Sequence, residues 1–230
     1  MKKIFFESMT INPKVICSAP GKVLICGGYL VLDQAYNGIV CALDSRFHVE
    51  LEEVPTTFET IDLEIVSPQF TDGLWIYKFD LKNGHLSTTG NNTFLQTVLN
   101  HALKYISAKQ TLRPSNIKIT VNADNDFYSQ LEYLKDRNLP ATLNSLKDIP
   151  KFNAANCSIS KVHKTGLGSS AALVAALVSA LLLHFGIASV SGNKIKEQSL
   201  QIIEQLAQCN YFLIRLPLSS ARENWKRVRH

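Results

Sequence analysis

The chain has no apolar stretch long enough to span a bilayer. Its longest such run, Ala171–Leu183, falls short of the ~20 residues a membrane helix needs, and His184 and Gly186 close it. No secretory leader is expected from the first residues: after MKKIFF, the residues Glu7, Asn12, Pro13 and Lys14 cut the apolar segment too short. Cysteine is scarce and odd in number, at Cys17, Cys26, Cys41, Cys157 and Cys209. No pair has zinc-ligand spacing, so these read as reduced thiols of a cytosolic protein rather than a disulfide framework. There is no internal repeat and no low-complexity tract. Charge of one sign is nearly absent too. The net charge is +5, and most of the excess lies in the last nine residues, where Arg222, Lys226, Arg227 and Arg229 face only Glu223. That distribution excludes the basic footprint of a nucleic-acid binder, while mild basicity suits an anionic small molecule. Two familiar nucleotide signatures are lacking. Gly21-Lys22 is followed by Val23 and has Ile16 where the first glycine of a G-x-x-x-x-G-K-[ST] loop belongs, and no G-x-G-x-x-G occurs.

What remains is a 230-residue globular composition, 46% hydrophobic and 19% charged, sufficient for a substantial core. Lys14–Ser18 reads as a short strand broken by Ala19-Pro20-Gly21, and Lys22–Leu32 resumes the apolar pattern around Gly27-Gly28. Gly38–Leu43, Phe47–Val54, Ile61–Val66, Leu74–Phe79 and Ile117–Val121 alternate or run apolar in the manner of strands. Asn91–Ser107 has helical spacing, with Asn92 or Thr93 as its cap. Residues 122–156 read as polar and irregular, with weak helix signals at Leu131–Leu134. Ser169–Phe185 is a helix apolar on almost every side, hence central, and Asn193–Gln208 is a final amphipathic helix. Strands come first and helices cluster later, which is α+β order rather than repeating βαβ.

Chemistry concentrates in His163–Leu173, HKTGLGSSAAL. A helix start carries unpartnered N–H groups and about half a positive charge. Glycines just before it let an anion reach the backbone. Gly166 and Gly168 stand in those places, Ser169 and Ser170 add hydroxyls, and Lys164 adds a charge. The plainer alternative is that Ser169 caps the helix and the glycines only turn the chain. Lys22, just past a Pro-Gly turn, reads in isolation as a surface residue. His48, His101 and His163 share no metal-ligand spacing. Asn122, Asp124 and Asp126 alternate as Ca²⁺ ligands do, but the rest of an EF-hand loop is missing and a solvated loop is the expectation.

Together the two stretches resemble the motifs of the GHMP kinase superfamily. Ala19-Pro20-Gly21-Lys22, followed by Gly27-Gly28 and an apolar strand, is similar to its N-terminal motif. Gly166-Leu167-Gly168-Ser169-Ser170-Ala171-Ala172 is similar to its phosphate loop. Gly27-Gly28-Tyr29-Leu30-Val31-Leu32-Asp33, where other members carry Gly-Glu-His, resembles the eukaryotic phosphomevalonate kinase branch, as does the Lys164-Thr165 start of the loop. The likeness runs from about residue 14 to about residue 209.

The resemblance implies an α+β fold, the superfamily's N-terminal domain, with a mixed or antiparallel sheet packed on helices. It implies an ATP-binding domain over residues 1–208, with the C-terminal domain missing. It implies ATP with Mg²⁺ as phosphoryl donor and 5-phosphomevalonate as acceptor, giving 5-diphosphomevalonate. Lys22 would be catalytic, offsetting charge on the transferred group. Lys164, Thr165, Gly166, Leu167, Gly168, Ser169, Ser170 and Ala171 would hold the ATP phosphates, with Ser170 also on Mg²⁺. One departure stands out. The family's later G-S-G-x-D segment has no counterpart, since no glycine follows Gly192 and no aspartate follows Asp148. Residues 209–230 are therefore expected to be a divergent, poorly ordered basic tail, and the chain by itself to have little or no turnover. A non-catalytic nucleotide-binding fragment, or a relative such as mevalonate kinase, are the alternatives. The oligomeric state stays open.

Overall fold

A computed structural model describes residues 14–54, 59–90 and 92–215. The N-terminal leader reading, the Asn91 helix start and the tail beyond residue 215 lie outside the described residues. Six strands form the main sheet: β1 (Val15–Cys26), β2 (Ile39–Val54), β3 (Thr60–Val66), β4 (Leu74–Asp80), β5 (Leu86–Thr88) and β6 (Ser115–Ala123). Their order is β1-β2-β6-β3-β4-β5. All pairs are antiparallel except β3 with β6, which pair in parallel from Ile61↔Ser115 to Val66↔Thr120. The sheet is thus mixed, as expected. Period-two alternation places one face inward: Ile61, Leu63 and Ile65 of β3 and Ile117, Ile119 and Val121 of β6 are buried.

Two long helices cover that face and a third flanks them. α1 (Thr93–Lys109) buries Leu95, Val98, Leu99, Ala102, Leu103 and Ile106, one stripe at helical spacing. Of the two expected caps, Asn92 is the one in place: its side-chain oxygen accepts from the Leu95 N–H at 3.1 Å. α2 (Leu131–Asp136) and α3 (Leu143–Lys147) are short turns within the region read as irregular. α4 (Ser169–His184) is buried at almost every position from Ala172 to Leu182 and packs on β1, β2, α1 and α5 (Glu197–Arg215). Its lack of a polar face is the reason it sits at the centre.

Four boundaries depart clearly from the sequence reading. β1 runs unbroken through Pro20-Gly21, because it is an edge strand and a bulge between Pro20 and Lys22 absorbs the proline. β2 is one strand where two were expected, since pairing with β1 carries it across Asp44–Arg46. The last helix starts at Glu197, because Gly192 at φ +58° turns a small hairpin, β7 (Val190–Ser191) with β8 (Lys194–Ile195), ahead of it. That helix also continues past Gln208 to Arg215, and Asn210 is buried with its Oδ1 3.0 Å from His101 Nδ1 on α1. Among the described residues no helix is long and apolar enough to cross a membrane.

Candidate functional site

The site grows from the N terminus of α4. Gly168 takes the cap position at φ +75° with no side-chain cap, and Ser169 is already the first helical residue. The capping reading of Ser169 therefore fails. Among the described residues, the N–H groups of Gly166, Leu167, Gly168, Ser169 and Ser170 donate to no protein acceptor. Gly166 is also left-handed, at φ +86°, and a β-carbon there would meet nothing. A row of free amides at the positive end of a sixteen-residue helix is the arrangement an anion completes.

Lys22 is delivered to this loop by β1. Its N–H donates to the Leu167 carbonyl at 2.9 Å. A β-carbon on Gly168 would lie 3.0 Å from Lys22 Cγ and 3.7 Å from its Cε, so the lysine stem runs directly over the cap glycine. Its head is exposed and has no acidic partner among the described residues. Gly21 is required for this approach: a β-carbon there would stand 2.9 Å from Leu167 O and 3.0 Å from the Phe127 ring. The sequence marked Gly21 as part of a turn; its role as a close-packing point was hidden, because its neighbours are remote in the chain.

The loop separates two clefts. One, of about 650 Å³, is lined by Lys164, Ser169 and Ser170 together with Asn92, Thr93, Phe94, Trp75 and Tyr128. The other, of about 620 Å³, runs between α4 and α5 and is lined by Lys22, Ala171, Ala175, Leu200, Ile203, Glu197 and Glu204. The expected site residues are thus brought together, but on two sides. Lys164 and the serines face one cleft, Lys22 and Ala171 the other. Thr165 turns away from both clefts, its hydroxyl donating to Asp126 O at 2.5 Å. Trp75, Phe94, Glu197 and Glu204 were not legible as site residues, since only the fold carries them there. Burial pushes the Tyr128 hydroxyl up to about 12, so it is a neutral wall.

The other candidates resolve as structure. His48 Nε2 lies 3.0 Å from Asp124 Oδ1, and Asp124 Oδ2 accepts the Arg46 N–H at 2.7 Å. Asp126 accepts from Ser45. Among the described residues no three His, Cys, Asp or Glu side chains are grouped to hold a metal.

Comparison with known proteins agrees with this geometry. No family model matches the chain. A phosphomevalonate kinase of Gibberella zeae is 36% identical over 217 residues, covering 86% of this chain and 46% of that protein. A peroxisomal phosphomevalonate kinase of Arabidopsis thaliana is 32% identical over 232 residues, with the same shares covered. The crystal structure of a Lin0012 protein from Listeria innocua superposes with a TM-score of 0.55 at 18% identity, over 88% of this chain and 43% of that one; it speaks to the fold alone. A mixed sheet, a central apolar helix and an uncapped glycine-serine loop facing a strand lysine fit the N-terminal fold of a GHMP kinase, and the chain's likeness is to that superfamily. Within it, the curated relatives are phosphomevalonate kinases. The chain spans about half the length of the curated relatives it matches.

Proposed function

We propose that this chain serves transfer of the ATP γ-phosphoryl group to the phosphate of 5-phosphomevalonate, giving 5-diphosphomevalonate. The observation that carries the reading is the uncapped start of α4, with five free amides from Gly166 to Ser170 and the Lys22 stem laid over Gly168. A triphosphate along this edge would have its oxygens held by amides that need no reorganisation. Lys164 would meet it from the 650 Å³ cleft, whose Trp75 and Phe94 offer apolar surface to the nucleoside end. Lys22, on the opposite side of the loop, would face the group in flight and offset the charge that gathers between two phosphates.

Mg²⁺ fits this arrangement as a companion of the nucleotide. The loop supplies a hard hydroxyl oxygen from Ser170, and no carboxylate cage is present among the described residues. When bound, the ion neutralises phosphate charge; Ser170, with Ser169, would orient it. The acceptor is already ionised, so the reaction asks for no strong general base; Glu197 and Glu204 are carboxylates that line the same cleft as Lys22. A cytoplasmic location is the expectation carried from composition, and the Arabidopsis relative is named as peroxisomal.

Two measurements test the reading. Calorimetry with MgATP reports the phosphate seat. Transfer of labelled γ-phosphate to 5-phosphomevalonate reports the reaction. Binding with transfer supports it; binding without transfer reduces the chain to a nucleotide-binding module; absence of binding contradicts the assignment of the loop.

A further inference from the structure

The Asn122–Asp126 segment is not used by the proposed function, yet it and the three residues after it are bonded to the entry of the phosphate loop. Asp124 secures the segment to β2 through the Arg46 N–H and His48. Asp126 does something different. Its Oδ2 accepts the Ser45 hydroxyl at 2.6 Å, and its own carbonyl accepts the Thr165 hydroxyl at 2.5 Å. The next residue continues the connection: the Thr165 N–H donates to Phe127 O at 3.2 Å. Then Ser129 N–H donates to His163 O at 2.8 Å, and Tyr128 forms a β-bridge with Lys164. Phe127, wholly buried, fills the space over Gly21. One short turn therefore meets both the entry of the loop and the strand residue before Lys22.

We infer that Asp126 is a positioning residue for the phosphate loop: held by Ser45, it sets Thr165 and hence the row of amides that follows. This rests on the nucleotide reading of the α4 N terminus. A carboxylate is not an obvious choice beside an anion seat, where its charge repels the ligand. What the geometry uses is an acceptor pointed at Ser45. An asparagine oxygen supplies the same acceptor without the charge. Asp124 keeps the segment on β2 when Asp126 is changed, so loop placement and overall folding separate.

The test compares Asp126→Ala, Asp126→Asn, Ser45→Ala and the Asp126→Ala/Ser45→Ala pair in the full chain. The first readout is hydrogen exchange of the Thr165 and Ser129 amides, whose bonds to Phe127 O and His163 O tie the loop entry to the turn; it needs no ligand. The second is MgATP affinity by calorimetry. Exchange of these two amides should rise in Asp126→Ala and Ser45→Ala, remain low in Asp126→Asn, and rise no further in the pair. MgATP affinity should fall about tenfold in each alanine variant and be retained in Asp126→Asn. Thr165 and Ser129 exchange unchanged in Asp126→Ala, or a rise spread over the whole sheet and equally present in Asp126→Asn, overturns the inference. If the unsubstituted chain binds no MgATP, the nucleotide reading falls, while the exchange pattern still decides whether Asp126 sets the loop.

Discussion

The Lys22 side chain occupies the space over Gly168: a β-carbon on Gly168 would come within 3.0 Å of the lysine Cγ. The contact fixes where the lysine can go, because the Lys22 N–H is also held by Leu167 O at 2.9 Å. A charge placed this way is pre-set against the loop rather than recruited to it. Gly168→Ala must therefore move the lysine and also adopt φ +75°, at a cost of roughly 1–2 kcal/mol for the backbone alone. The expected outcome is a fall of about tenfold in MgATP affinity, measured by calorimetry.

Gly21→Ala acts one residue away and for a different reason. Its β-carbon would press on a carbonyl and a buried ring, neither of which is the loose end of a flexible side chain. Overpacking of this kind costs about 1–3 kcal/mol. The urea midpoint should fall, and the exchange protection of the Lys22 amide should fall with it.

The two lysines should separate kinetically, because they border different clefts. Lys164→Met should weaken MgATP binding. Lys22→Met should leave MgATP affinity within a few-fold and lower the rate of transfer by about a hundredfold or more, the scale of losing one charge from a preorganised site. Equal effects of the two substitutions on binding would contradict this division of labour.

Acid should unfold the protein through His184. Its side chain is 2% exposed, at the end of α4, and its Nδ1 has no partner among the described residues. Burial, helped by Arg113, lowers its pKa to about 4; Glu53 at 3.7 Å favours the charged form but is already engaged by Arg113 at 3.0 Å. A folded-state value below the ordinary 6.5 means that the unfolded chain takes up the proton first. The contribution is complete above about pH 6.5 and is lost as pH falls toward 4, with a slope of at most about 1.4 kcal/mol per pH unit. Urea midpoints between pH 7 and pH 4 check this, and His184→Phe should flatten the curve.

Elements with a clean period were readable before any coordinates. Ile61–Val66 matches β3 to within one residue, and Ser169–Phe185 matches α4 to within one. In both, burial follows the apolar pattern of the chain itself. The continuous β1 was not readable, because whether a proline ends a strand depends on whether its missing N–H would have faced a neighbour, and edge position is a property of the sheet. The start of α5 was misplaced because Asn193–Lys196 fits a helix until Gly192 folds it into a hairpin. For the site, Gly166 and Gly168 announced themselves by residue type, and Lys22 only through the resemblance of the two motifs together. The link from Ser45 through Asp126 to Thr165 was hidden: the pairs are 81 and 39 residues apart along the chain, and nothing local to any of the three predicts the meeting.

The central claim is that the free amides from Gly166 to Ser170 hold the phosphates of ATP. Backbone ¹⁵N–¹H spectra recorded during a MgATP titration test it most directly. The account predicts that the largest shifts fall on Gly166, Leu167, Gly168, Ser169 and Ser170. Saturating MgATP that leaves these five resonances in place, or moves only signals elsewhere in the fold, would contradict it.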